Sequence, residues 1–223
     1  MKTTWSTKPR VNQCQKPSGW LGRLIARNMN ARHSKVTDWG LSHLRLEQDF
    51  TILDIGCGGG RTVSKLAAMA TEGKVYGVDY SSDSVAVAST TNRDWIKKGR
   101  VDIREGSVSQ LPFATGIFDL VVAVETHFWW PDLPGNFQEV LRVLKPSGTF
   151  GIIAEVYRGA ESRTATLVEK YLPMTGMKFL SPEEHRQLLH DAGYEDVQIV
   201  VDAGKGWIFA SGRRSSDSPK ADS

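Results

Sequence analysis

Apolar and polar positions alternate along this chain in blocks. Thr51–Ile55 is a short apolar run with one acid, Asp54, near its end, and it predicts a buried strand. Residues 60–70 follow with Val63, Leu66, Ala67 and Ala70 on one face at helical spacing. KVYGVDY predicts a second strand, and Ser81 or Ser82 caps a helix expected to run to about Lys98. VDIREG reads as a third strand. GIFDLVVAVE reads as a fourth, with an apolar run from Leu120 to Val124 suited to a parallel strand covered on both faces. In NFQEVLRVL, Phe137, Val140, Leu141 and Leu144 share a helical face, and the Lys145–Gly148 segment, with its proline and glycine, stops the helix. TFGIIAEV is the fifth strand.

Residues 157–180 carry a less regular pattern. Ser181, Pro182 and Glu184 form the signature of a capping box, and Gly193 closes the helix they open. EDVQIVVD and KGWIFASG predict a terminal antiparallel hairpin, and RRSSDSPKADS a disordered tail. Ahead of the first strand, Trp20, Leu24 and Ile25 suggest one helix; Val36, Trp39, Leu41 and Leu44 suggest another. Residues 1–18 read as a polar, mobile lead-in. Strand–helix alternation with right-handed crossovers, then an antiparallel end, makes a single α/β domain over residues 19–212.

Composition changes this picture little. The formal net charge of +3 is uneven: residues 1–50 carry nine Lys/Arg against three Asp/Glu, and the rest carries a slight acidic excess. A basic arm attracts anionic partners, although such arms are also common as solvated surface. No segment approaches the ~18 unbroken apolar residues of a membrane span. WLGRLIA is interrupted by Gly22 and Arg23, so it does not read as a secretory leader. Cys14 and Cys57 make neither a disulfide framework nor a metal set, and a reduced, cytoplasmic protein is expected.

The candidate chemistry sits where the first strand ends. Gly56, Gly58, Gly59 and Gly60 surround Cys57, and a strand, a glycine turn and a helix in that order make a place for a nucleotide-like ligand. The dinucleotide pattern G-x-G-x-x-G fails because Arg61 stands at its third glycine; Gly56, Gly58 and Gly60 fit G-x-G-x-G instead. Asp79, nineteen residues beyond Gly60, ends the second strand at the distance of an acid that holds ribose hydroxyls.

ILDIGCGGG, VYGVDYS, GSVSQLPF, FDLVVAVET and EVLRVLKPSG, in that order, resemble the class I S-adenosylmethionine (SAM) methyltransferase family, in its small-molecule branch, over about residues 50–212. The resemblance implies a Rossmann-like sheet of seven strands in the order 3-2-1-4-5-7-6, with strand 7 antiparallel and helices on both faces. It also implies N-terminal helices (residues 19–48) over the site and a variable cap at 157–180. It implies SAM as cofactor, with S-adenosylhomocysteine as product. Gly56, Cys57, Gly58 and Gly60 would meet the methionine part and Asp79 the ribose. Tyr80 would flank the adenine, with Ser107 and Val108 near its amino group. The backbone at Val124 would take the ammonium, supported by Asp54.

Methyl transfer needs mainly alignment, so a catalytic residue need not exist. Glu125 and His127, just past the fourth strand, are the candidates if a proton must leave, against the alternative that Glu125 only stabilises its loop. Phe128, Trp129 and Trp130 suggest an apolar acceptor pocket or packing under the N-terminal helices, and His33 and Tyr157 are further pocket candidates. No metal ligands are expected.

The expected partner is a small-molecule methyl acceptor, with neither membrane nor nucleic acid, for a monomer or homodimer. A nucleic-acid methyltransferase would carry an Asp/Asn-Pro-Pro-aromatic tetrad where this chain has VETHFWWPD. A protein that binds SAM without turnover stays open.

Overall fold

The computed structural model describes residues 34–216. The elements run α1 (Ser34–Leu41), β1 (Thr51–Ile55), α2 (Arg61–Met69), β2 (Lys74–Asp79), α3 (Ser82–Thr91) and α4 (Arg93–Lys97). There follow β3 (Val101–Glu105), β4 (Phe118–Val124), a 3-10 turn (His127–Trp129), α5 (Leu133–Val143) and β5 (Leu144–Ala154). The chain closes with α6 (Arg163–Thr175), α7 (Pro182–Asp191), β6 (Tyr194–Asp202) and β7 (Trp207–Arg214). One seven-stranded sheet has the order β3-β2-β1-β4-β5-β7-β6. The β1–β5 pairings are parallel, and β7 lies antiparallel between β5 and β6.

Both parities of the strands are apolar, which is why both faces carry helices. Leu53, Val121 and Phe150 point to the side where α5 supplies Phe137, Val140 and Val143, and α7 supplies Leu189. Ile52, Leu120, Val122 and Ile153 point to the other, where α1 supplies Val36 and Leu41 and α2 supplies Val63, Leu66 and Ala67. Gly40 of α1 faces Ile153 so closely that any side chain there would collide with it.

Four expectations are corrected. The helix expected to reach Lys98 is broken at Asn92, whose φ of −104° and ψ of 16° separate α3 from α4. Its side chain accounts for the break: Nδ2 donates to Gly60 O at 2.8 Å and to Ala88 O at 2.9 Å. β5 begins at Leu144 rather than Thr149, because Lys145–Gly148 loops out as a bulge between the Phe118–Leu144 and Leu120–Thr149 pairs. Lys145 Nζ anchors that bulge on Asp119 at 2.8–2.9 Å. The segment at 157–180 contains a thirteen-residue helix, α6, capped by Ser162. β7 extends through Arg214, whose guanidinium donates to Leu144 O at 2.6 Å, so the first residues of the expected tail belong to the sheet.

The capping box is present at α7: Ser181 Oγ accepts from Glu184 N, and Glu184 accepts from Ser181 N. The helix expected around Trp20, Leu24 and Ile25, Cys14, His33 and the tail beyond 216 lie outside the described residues.

Candidate active site

The crevice opens at the carboxyl ends of β1, β2 and β4, where strand order reverses on the two sides of β1. Gly56 N and Cys57 N both donate to Val78 O, at 2.7 and 3.0 Å, so the elbow after β1 is stitched to β2. Gly58 (φ +52°) and Gly60 (φ +78°) are left-handed, a conformation that costs any other residue strain. Their surroundings differ. A Cβ on Gly60 would lie 2.5 Å from Asn92 Nδ2 and 2.8 Å from Ala88 Cα, so Gly60 is required by packing. A Cβ on Gly58 would meet nothing nearer than Gly56 O at 4.0 Å; it would project into the cavity instead.

Asp79 closes the elbow. Its Oδ2 accepts from Gly58 N at 2.9 Å and its Oδ1 from Ser81 N at 2.9 Å. Asp79 also lines the cavity. Burial pushes the Asp79 carboxyl up, and the two amide bonds oppose this. Asp54 is more extreme. It is 1 % exposed, and Oδ2 has no partner among the described residues. Burial, and secondly the charge of Asp79, push it up to about 8. The Cys57 thiol is pushed well up, first by burial and then by the two carboxylates, so it is an inert packing group.

Asp54, Gly56, Cys57, Gly58 and Asp79 line a cavity of about 420 Å³ together with Val78, Tyr80, Gly106, Ser107, Val108, Val124, Glu125, Trp129 and Trp130, while Gly60 lies behind its wall against Asn92 and Ala88. The donor set fits a SAM-like ligand. A buried carboxylate oxygen without a partner suits a cation, a pinned acid suits a diol, and open volume above Gly58 admits close backbone approach. Ser107 Oγ accepts from Ser109 N at 3.2 Å within its own turn. Tyr80 is 42 % exposed, its ring at the rim, and its hydroxyl is pushed up to about 12 by burial and by Asp79.

Past β4 the structure separates the aromatic cluster. Glu125 lines the cavity with φ +58°, but its Oε1 accepts from Glu155 N, which holds the end of β5. His127 turns away from the cavity and is 2 % exposed. Its Nε2 lies 2.9 Å from His185 Nε2 on α7, and burial, then His185, hold its pKa well below the usual imidazole value. It does not line the cavity. Phe128 and Tyr157 pack behind the wall with Ala154 and Ile208. They are core, correcting their assignment to the pocket. Trp129 and Trp130 do line the cavity, with Trp130 also stacked on Phe150 at 6.2 Å.

Ser34, Thr37, Arg61, Lys65, Thr126 and Pro131, for which the sequence suggested no role, also line the cavity. Thr126 had a signal: it directly follows Glu125, and its side chain covers Gly56 and accepts from Trp130 Nε1 at 3.3 Å. Ser34 and Thr37 had none, because only the packing of α1 on β5 brings them there. Among the described residues no cluster of three metal-ligating side chains occurs, and no helix is long and apolar enough to cross a membrane.

Comparison with known proteins agrees with this geometry. Residues 53–152 match the family described as a methyltransferase domain. The chain is 28 % identical over 168 residues to methyltransferase GfsG of Streptomyces halstedii, covering 74 % of this chain and 60 % of that one. It is 27 % identical over 201 residues to the chloroplastic 2-methyl-6-phytyl-1,4-hydroquinone methyltransferase of Arabidopsis thaliana, covering 87 % and 56 %. The chain thus spans less than two thirds of either relative. A SAM-dependent methyltransferase from Aquifex aeolicus superposes with a TM-score of 0.70 at 19 % identity, over 86 % of this chain and 98 % of that one, and so shares its fold. The elbow, the acid at the end of β2, the strand order and the domain match over residues 53–152 together make this chain similar to the class I S-adenosylmethionine-dependent methyltransferases.

Proposed function

We propose that the chain methylates a small, largely apolar molecule, with SAM bound along the β1–β2 side of the cavity and the acceptor against Trp129 and Trp130. SAM supplies an electrophilic methyl on a sulfonium centre. The observation that carries the reading is the Asp79 carboxylate, fixed by the Gly58 and Ser81 amides at the cavity wall. It would hold a ribose diol, while Asp54 would pair with the methionine ammonium. Trp129, Trp130 and Pro131 offer apolar surface for the acceptor, and the Arabidopsis relative is named for an acceptor with a long apolar phytyl group.

Of the side chains expected to act as bases, His127 faces α7, and Glu125, at the cavity wall, uses Oε1 to hold the end of β5. Rate enhancement would therefore come from holding the acceptor's nucleophilic atom in line with the methyl, which contributes several kcal/mol without proton transfer. Water would be kept out by the indole wall.

Titration of the purified protein with SAM and S-adenosylhomocysteine tests the cofactor assignment. Asp79→Ala is expected to weaken both by about tenfold or more, ~1.4 kcal/mol. Unchanged affinity in that variant overturns the ribose assignment. Labelled SAM with a metabolite extract, read by product mass, tests turnover; saturable SAM binding without any labelled product would favour a protein that binds SAM and does not transfer.

A further inference from the structure

His127 and His185 sit outside the cavity, yet their contact is built into its aromatic wall. His185 Nδ1 lies 2.8 Å from Ser181 O, a carbonyl that can only accept, so this nitrogen carries the proton. In the neutral ring Nε2 is then the acceptor, and His127 Nε2, 2.9 Å away, must donate to it. One backbone carbonyl of α7's N-cap residue thereby sets the tautomer of both rings. Burial keeps both rings neutral.

The 3-10 turn that begins at His127 carries Trp129 into the cavity, through Trp129 N donating to Thr126 O at 2.9 Å and Trp130 N to His127 O at 3.0 Å. A second tie joins the same two regions: Lys178 N donates to Phe128 O at 2.8 Å. The turn is thus held from behind at two successive residues, by α7 and by the segment leading into it.

We infer that His127 and His185 are positioning residues: their directional hydrogen bond registers the Trp129–Trp130 wall against α7, and so sets the acceptor end of the cavity without touching the cofactor end. The inference rests on the reading of that wall as the acceptor site. A leucine pair would fill similar volume, but it would not fix the rotation of the turn, because apolar packing has no donor–acceptor direction. Protonation of His185 at Nε2 places two N–H groups face to face and breaks the bond, whereas a proton on His127 goes to Nδ1 and leaves the bond in place. The charged groups beside the pair are Glu184 on α7, whose charge favours protonated His185, and Arg158 from the β5–α6 connection, which pairs with Glu184. Lys178 belongs to the tied strip.

Amide hydrogen exchange of the cofactor-free protein, resolved by residue, tests this without needing an acceptor. His127→Leu is expected to lower protection at Trp129, Trp130 and Lys178 by about tenfold while the β1, β2 and β4 amides keep theirs. His127→Gln, which restores a side-chain N–H donor, should recover most of it. S-adenosylhomocysteine affinity should stay within about twofold of the unsubstituted protein in both variants. Should His127→Leu fail to fold, lowering the pH of the unsubstituted protein to about 5 should loosen the same three amides before the sheet. Unchanged protection in the turn, a uniform loss across the sheet, or a parallel loss of cofactor affinity overturns the inference. Failure of the acceptor reading would show separately, as methyl transfer unaffected by Trp129→Ala.

Discussion

Asp54 and Asp79 are both acids at strand ends, and their surroundings give them different work. Asp79 accepts two amides; Asp54 has a buried oxygen without a partner among the described residues. With its pKa raised from 3.8 to about 8, folded Asp54 holds a proton that the unfolded chain has released between those values. The native state therefore binds more protons there, and this group's contribution to stability falls as pH rises from about 4 to about 8. Asp54→Asn should remove that slope. Urea denaturation of the ligand-free proteins should show the variant gaining at least ~1 kcal/mol on the unsubstituted protein between about pH 5 and about pH 8, while its SAM affinity drops. A parallel pH dependence in the two proteins would contradict the assignment. The position of Asp54 and Asp79 was legible from spacing alone. Their protonation was not, since it depends on burial and mutual distance. His127 shows the converse: its residue type suggested a base, and its packing made it a neutral donor.

At the scale of elements, local signals were read well where they are local. Ser181, Pro182 and Glu184 start α7 as their spacing requires, since the capping box involves only neighbours in sequence. Asn92 went unread because its partner, Gly60 O, is thirty-two residues away. Its side chain links the α3–α4 break to the elbow, next to the left-handed Gly60. Asn92→Ala removes two buried donated bonds, at a cost of about 1–3 kcal/mol. The expected outcome is a lower denaturation midpoint together with weaker S-adenosylhomocysteine binding, measured on the same preparations. Retained cofactor affinity would mean that the elbow holds its shape without Asn92. The Lys145–Gly148 bulge was likewise misread as a plain helix stop. A proline and glycine mark a break in any regular element, and only pairing with β4 shows that the strand has already begun.

At the scale of the molecule, α1 reaches the cavity through Ser34 and Thr37 because Gly40 lets it settle on Ile153 of β5. Alanine normally favours a helix over glycine by ~1 kcal/mol. Here the added methyl would meet three Ile153 carbons, and overpacking of that kind costs ~1–3 kcal/mol. Gly40→Ala should therefore be net destabilising in denaturant titrations and should weaken SAM binding by displacing Ser34 and Thr37. A stabilised variant with intact binding would mean that Ile153 yields freely. The sequence by itself determined the αβ alternation, the elbow and the two acids, because strand period, helix period and turn chemistry are written in neighbouring residues. Only the tertiary structure decided which aromatics face the cavity, which histidine pairs with which, and which carboxylate keeps its proton. Each of these is set by groups far apart in sequence, whose contact and burial exist only once the sheet has closed around them.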